Sequence, residues 1–317
     1  MLILKYPGTL MEFQKMFQTE EDCAQYLYKC RWPKQFVCPK CNKESDKPYL
    51  ISKYKRFECP KCNHQVSITA GTIMHNTKTS LKIWFWAAYL VSTLTPGISA
   101  LQLKKQLGIK RYETAYQMLQ KLRSAMVHPD RDRIQGIVEV DETYIGSTQE
   151  GKRGRGALGK TIVAGAIEVL RVDELKQRVG RLRLSIIPNV SGDTLEQFIK
   201  ENVVKKSVVI SDDWNGYNGI KDLNYKHKIV SKNDLDHIHI TFGNLKTWIQ
   251  GTYHGLTPKH LQAYLNEFVF RHNRRKNHMA AFQRLLGLAT IKEGPSYDAI
   301  YAAGSLVGWF HPGQTEP

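Results

Sequence analysis

The sequence predicts a multidomain α+β protein, and three observations along its 317 residues support that. Two C-x2-C knuckles with 17 residues between them stand in the N-terminal third. An apolar segment and two helical patterns about a glycine follow. From residue 137 the pattern changes to three β-rich runs, a helix and another strand, an α/β order. The expected boundaries are an N-terminal helix with a four-cysteine ribbon at 1–75, a helix-turn-helix region at 76–130, an α/β domain at 131–285 and a tail at 286–317.

The composition fits a folded chain. It is 42% hydrophobic and 10% aromatic without a low-complexity tract, which excludes disorder as the general state. A formal charge of +17 attracts a polyanion and makes such binding salt-dependent, so nucleic acid is the expected partner. The opening "MLILKYPGTLMEF" has one lysine, a very short apolar run and a Pro-Gly break, a poor secretory signal. The most apolar stretch, "IWFWAAYLVSTL" (83–94), is shorter than the roughly 20 residues that span a bilayer. No membrane partner and a cytoplasmic location are expected.

The two knuckles, "CPKC" at Cys38 and Cys41 and again at Cys59 and Cys62, suit a tetrahedral zinc ribbon in which each tight turn gives two thiolates to one Zn²⁺ ion. Cys23 and Cys30, in "EEDCAQYLYKC", read as packed thiols of a helix. The apolar stretch at 83–94 reads as a buried core helix ended by Pro96-Gly97. "ISALQLKKQLG" (98–108) is a short helix stopped at Gly108, and "KRYETAYQMLQKLRSAM" (110–126) a second one. Two helices about a glycine turn, the second carrying Lys110, Arg111, Lys121 and Arg123, look like a helix-turn-helix that grips DNA. An ordinary helical hairpin has the same pattern.

The strands begin with "IVEVDETYIG", then "TIVAGAIEVLRV" (161–172) and "QRVGRLRLSIIPNV" (177–190). A helix capped near Asp193 and the strand "SVVISDDW" (207–214) follow. The first and last strands each end in an aspartate, Asp141 and Asp212. If those strands are neighbours, the two carboxylates meet at one sheet edge and suit a hard cation such as Mg²⁺. A pair of such ions about 3.5–4 Å apart serves phosphoryl transfer. A turn residue is the other reading of either aspartate. Glu142, on the opposite strand face from Asp141, and Asp213 read as bystanders.

"VEVDETYIG", "SDDWNGY" and "GTYHGLTPKHLQAYLNEFVFRHNRR" (251–275) resemble the bacterial insertion-sequence transposases of the fifteen-ninety-five, or ISXO-two-like, family. The resemblance extends from the ribbon through "GTIMHNTKTSLKIWFWAAYL" (71–90) to about residue 280. It implies a ribonuclease-H-like catalytic domain of the DDE/DDH type, with Asp141 as the first acid and Asp212 as the second. Many members carry a third carboxylate seven residues before a lysine, ahead of the "GTYH" motif. Lys246 is that lysine, and seven residues back stands His239. "DHIHITFGNLKTWIQG" fits a helix from Asp236 to Gly251, on which His239 and Lys246 share a face. Asn244 and Glu267 remain alternatives for the third ligand, although Glu267 also reads as an internal partner for Arg271.

What the resemblance implies is a transposase working on double-stranded DNA, both element terminal repeats and target, with Mg²⁺ or Mn²⁺ at Asp141, Asp212 and His239 and with Lys246 at a phosphate. A dimer or higher oligomer on DNA is expected. Arg271, Arg274 and Arg275, and Lys152, Arg153 and Arg155 in the loop "GKRGRGALGK", read as further backbone contacts. Two rivals stay open: a metal-dependent nuclease that does not join strands, and a zinc-ribbon regulator with an inactive catalytic domain.

Overall fold

A computed structural model describes residues 4–52, 55–128, 130–146, 160–171 and 177–301. The chain divides into two compact units, one formed by residues 1–128 with 274–303 and the other by 129–273 with 304–317.

The first unit opens with α1 (Leu10–Met16) and α2 (Glu20–Arg31), the latter started by a reciprocal Thr19–Asp22 capping box. Cys23 is fully buried on α2, and burial first of all pushes its thiol up to about 12; Cys30 reaches about 12 for the same reason. The ribbon consists of the hairpin β1 (Phe36–Val37) and β2 (Glu44–Ser45), then the three-stranded sheet β3 (Tyr49–Ser52), β4 (Arg56–Glu58) and β5 (Gln65–Ser67). Trp32, Phe36, Phe57 and Tyr28 stack beneath it, with Trp32–Phe36 centroids 4.9 Å apart and Tyr28–Phe57 centroids 5.0 Å apart.

The apolar stretch forms α3 (Leu81–Thr93), whose core face includes Trp84, Phe85 and Val91. The Glu20 carboxylate accepts hydrogen bonds from the Leu81 and Lys82 amides at 2.9 and 3.2 Å, placing negative charge at the helix start. Pro96 and Gly97 follow its end, as expected. Next come α4 (Ala100–Gln106) and α5 (Tyr112–Ala125), with Gly108 at φ +62° in the turn where a side chain would be strained. This is the two-helix arrangement that the glycine signalled.

The second unit is built on a five-stranded sheet: β6 (Ile137–Ile145), β7 (Thr161–Arg171), β8 (Gln177–Ile187), β9 (Val208–Ser211) and β10 (Lys226–Ile229). Their spatial order is β8-β7-β6-β9-β10; β6, β7 and β8 are antiparallel neighbours, and β9 and β10 continue parallel to β6. Counted along the chain this is 3-2-1-4-5 with the second strand reversed, a ribonuclease-H-like sheet. β10 escapes the sequence reading because it is a four-residue edge strand, mostly exposed, with no apolar alternation.

Helix α6 (Gly192–Asn202) and a 3-10 helix (Asn215–Leu223) cover one face, where Val138, Val140, Ala164 and Val209 meet Leu195, Phe198, Tyr217 and Ile220. Helices α7 (Asp236–Tyr253) and α8 (Pro258–His272) cover the other, where Val163, Ile167 and Leu184 meet Ile238, Phe242, Leu245 and Leu265. Side chains alternate along β6, so even-numbered residues face α6 and odd-numbered residues face α7.

The chain then returns to the first unit as α9 (His278–Ala289) and α10 (Tyr297–Tyr301). The division therefore differs from the expected catalytic boundary at 285 and tail from 286. Phe282 of α9 is fully buried, with its ring 5.4 Å from Phe13 and 5.8 Å from Phe17, so burial of an aromatic cluster assigns α9 to the N-terminal helices. The ribbon and the helix-turn-helix likewise form one unit rather than two. No described helix is long and apolar enough to cross a membrane.

Candidate active site and metal centres

Four thiols converge in the ribbon. Cys38, Cys41, Cys59 and Cys62 bring their sulfurs within 4.8 Å of one another, with Cys38–Cys62 at 3.6 Å and Cys41–Cys59 at 3.8 Å. None of the four is in a disulfide. Both knuckles turn alike: the Asn42 amide donates to the Cys38 carbonyl and the Asn63 amide to the Cys59 carbonyl, each at 2.9 Å, with both asparagines at φ 54°. Asparagine tolerates that left-handed conformation better than most residues, which lets the second cysteine of each pair swing back toward the first. A closed set of four thiolates is a structural Zn²⁺ site.

The second centre lies at one edge of the five-stranded sheet. β6 and β9 pair in parallel, Ile137 with Val208 and Glu139 with Ile210. Asp141 continues β6 two residues beyond that last pair, and Asp212 follows the end of β9, where its Oδ1 accepts the Trp214 amide at 3.2 Å. Both are buried, at 3% and 5% exposure. His239 of α7 places Nε2 at 2.9 Å from Asp141 Oδ2. The sheet and helix thus bring His239 onto Asp141, two of the three residues expected to act as one set.

Burial above all, then the charge of Glu142, holds the Asp141 carboxyl above its usual range; Asp212 pushes the same way, while the Glu142 amide and His239 oppose. Desolvated carboxylates crowded with like charges, two of them and an imidazole on one face, are a donor set that fits divalent cations. Among the described residues only the four cysteines draw three or more ligand atoms within 4.8 Å. Asp141 is thus the shared member, touching His239 and feeling the charge of Asp212.

Lys246 lies two turns along α7 from His239, exposed, and its ammonium is lowered by burial and by Lys160 while Asp141 pulls the other way. The alternatives for the third ligand are placed elsewhere. Asn244 is exposed, about 140° round the helix from His239. Glu267 is completely buried in α8, paired with Arg271 at 3.3 Å and reached by the Tyr253 hydroxyl.

Several expected DNA contacts need correction. Arg123 is fully buried, because it lies in the last turn of α5, where residues 122–126 are all buried. Arg271 is 9% exposed, tied to Glu267 with the Trp248 ring 6.0 Å away, so it holds α8 rather than a phosphate. Arg274 is half-buried, and burial, with help from Arg284, lowers it to about 10; burial also lowers Arg275. Lys121 is half-buried too, lowered by burial and opposed by Glu293. Lys110 and Arg111 are exposed at the start of α5. Lys152, Arg153 and Arg155 lie outside the described residues.

Sequence reading missed some partners of the site. Glu142 faces away from Asp141, as expected, but it is buried on the α6 face and accepts a hydrogen bond from the Tyr217 hydroxyl at 3.0 Å. Burial, then Glu142 and Asp141, push the Tyr217 phenol well above its usual range. This bond ties "DETY" to "SDDWNGY". The glycine of that second motif is required, since a Cβ on Gly216 would lie 2.7 Å from Trp214 Nε1 and 2.8 Å from the Val190 carbonyl. Glu139, buried two residues before Asp141 on the same face, was also missed; the alternation "VEVD" was the available cue.

A ribonuclease-H-like sheet with one acid in the middle of its first strand and another just past its fourth, in a chain that opens with a four-thiolate ribbon, defines the DDE class of transposase. Residues 133–273 match the family model for the ISXO2-like transposase domain and residues 18–65 the one for the transposase zinc-ribbon domain. The chain belongs to the ISXO2-like transposase family. No curated protein matches the sequence. Among solved structures it is similar to the one titled "Crystal structure of the Mos1 Strand Transfer Complex", with 11% identity over 63% of this chain and 76% of that chain and a TM-score of 0.24, too low to add to the argument.

Proposed function

We propose that the protein cuts DNA at the ends of its element and joins the freed 3′-OH to target DNA, with Asp141, Asp212 and His239 as ligands of Mg²⁺ or Mn²⁺. The observation that carries this is His239 Nε2 2.9 Å from the buried Asp141 carboxylate, with the buried Asp212 just past the end of the neighbouring parallel strand. Bound cations at such a site lower the pKa of the attacking hydroxyl and offset charge on the leaving oxygen.

The chain's own groups do the positioning. Asp141 and Asp212 are fixed by strands, His239 and Lys246 by one helix, so the reacting phosphate meets a rigid frame. The Lys246 ammonium contacts a phosphate oxygen and stabilises charge developing there. In cutting, water adds to phosphorus and the 3′ oxygen leaves with a proton. In joining, that 3′-OH oxygen forms the new P–O bond, loses its proton, and a target 3′ oxygen departs. Lys110 and Arg111 at the start of α5 contact the element end, along with Lys152, Arg153 and Arg155. Two chains act together on a pair of ends. The ribbon, the helix-turn-helix and the sheet domain divide these tasks.

Joining of precut end oligonucleotides into a plasmid tests the reading. Wild-type protein joins strands with Mg²⁺ or Mn²⁺, and Asp141→Asn and Asp212→Asn abolish joining while end binding stays within a few-fold. Near-normal joining by either variant overturns the assignment. Hydrolysis without joining leaves a nuclease, and cation-independent binding with no nicking leaves a regulator.

A further inference from the structure

The start of α7 is capped from another element. Its own N-cap, Leu235, offers no side-chain acceptor. Glu139 of β6 fills that place: its Oε2 accepts the Ile238 amide at 2.9 Å and its Oε1 lies 2.6 Å from His237 Nδ1. Both contacts flank His239 and span about a hundred residues of chain. Glu139 is buried at 4% exposure, so the carboxylate is dedicated to the helix start, where negative charge is favoured.

One turn further along α7 a second device acts. Gly165 of β7 pairs directly with Asp141. A Cβ there would stand 2.7 Å from two ring carbons of Phe242 and 3.0 Å from Ile238 Cδ1. Only the bare backbone lets the helix sit this close to the sheet. The two fixed points, Ile238 and Phe242, enclose His239.

We infer that Glu139, with His237, and Gly165 form a seat for α7 that holds His239 against Asp141, and that these positioning residues set the affinity of the site for divalent cations. The inference rests on the reading of His239 as a ligand. Neither Glu139 nor His237 is itself assigned to the cation. Outer contacts of this kind commonly alter metal affinity by roughly 10–100-fold.

The test measures Mn²⁺ binding by electron paramagnetic resonance on zinc-loaded, folded protein, together with hydrogen exchange of the Ile238 amide before Mn²⁺ is added. Glu139→Ala is expected to lose the Ile238 protection and to bind Mn²⁺ roughly 10–100-fold more weakly. Glu139→Gln is expected to recover most of the affinity. Its amide oxygen accepts from Ile238 while its NH₂ donates to Nδ1 of a neutral His237. Gly165→Ala weakens binding independently and serves if Glu139→Ala does not fold.

The decisive comparison is the double variant. If Glu139 acts through His239, then Glu139→Ala added to His239→Ala weakens Mn²⁺ binding no further, within about twofold. Multiplying losses, or wild-type Mn²⁺ affinity in both Glu139→Ala and Gly165→Ala, overturns the seat. Wild-type affinity in His239→Ala instead overturns the ligand reading on which it rests.

Discussion

Asp141 is buried at 3% exposure, with Glu142 beside it and the charge of Asp212 acting on it. Without a cation its negative charge opposes folding. Its folded pKa is raised, so the stability it contributes is present below the unfolded value of about 3.9 and is lost as pH rises through the folded value. Zinc-loaded protein free of Mg²⁺ and Mn²⁺ should therefore lose melting temperature as pH rises through the carboxylate range. Asp141→Asn should flatten that decline and raise Tm at neutral pH by a few degrees, given that ~1 kcal/mol is about 2–4 °C in a chain of this size. Scanning calorimetry across pH checks it, and an unchanged or lower Tm for the variant contradicts it.

At the residue scale, Asp141 and Asp212 were legible because a carboxylate after an apolar run is conspicuous, although β6 continues past Asp141 to Ile145 instead of ending there. His239 came only from counting back from Lys246. Glu139, His237 and Tyr217 stayed hidden, because each acts through a partner about 70 to 100 residues away that no local pattern reports.

The elements show where charge reading fails. Arg123 and Arg271 look like surface cations in a one-dimensional pattern, yet one lies in a fully buried last helical turn and the other closes a pair with Glu267. Arg271→Ala should destabilise the protein by roughly 3–5 kcal/mol, since it strands a buried carboxylate. Its effect on the salt dependence of DNA binding should be negligible. Replacing Lys110 and Arg111 together should leave stability unchanged and lower the slope of log K against log salt by about 1–2. Denaturant melts and binding titrations at several salt concentrations separate the two outcomes. The reverse pattern would return Arg271 to the DNA surface.

The ribbon gives the second prediction at this scale. Four thiols within 4.8 Å on two matching turns join the two knuckles through one metal. Structural zinc contributes on the order of 10 kcal/mol of apparent binding energy that is also folding energy. Cys59→Ser should lose the single zinc and unfold the ribbon, read by metal analysis and by loss of amide protection in residues 36–67. A folded ribbon without zinc contradicts it. The C-x2-C spacing made this element fully legible, whereas β10 was not, being short and exposed at the sheet edge.

At the scale of the whole molecule, the +17 charge, the zinc ribbon and the acid-bearing sheet belong to a protein that meets DNA. Domain order was legible from cysteines, glycines and strand runs. The return of α9 to the N-terminal unit was not, because the aromatic cluster around Phe282 joins residues some 270 positions apart. The central claim is that Asp141, Asp212 and His239 hold the cations of strand cutting and joining. Anomalous diffraction at the manganese edge, from crystals of the protein soaked in Mn²⁺, tests it most directly. Density is expected about 2 Å from carboxylate oxygens of Asp141 and Asp212 and within bonding reach of His239 Nε2. Manganese bound by Glu139 and His237 instead, or no manganese at Asp141 in crystals of protein that joins strands, would contradict it.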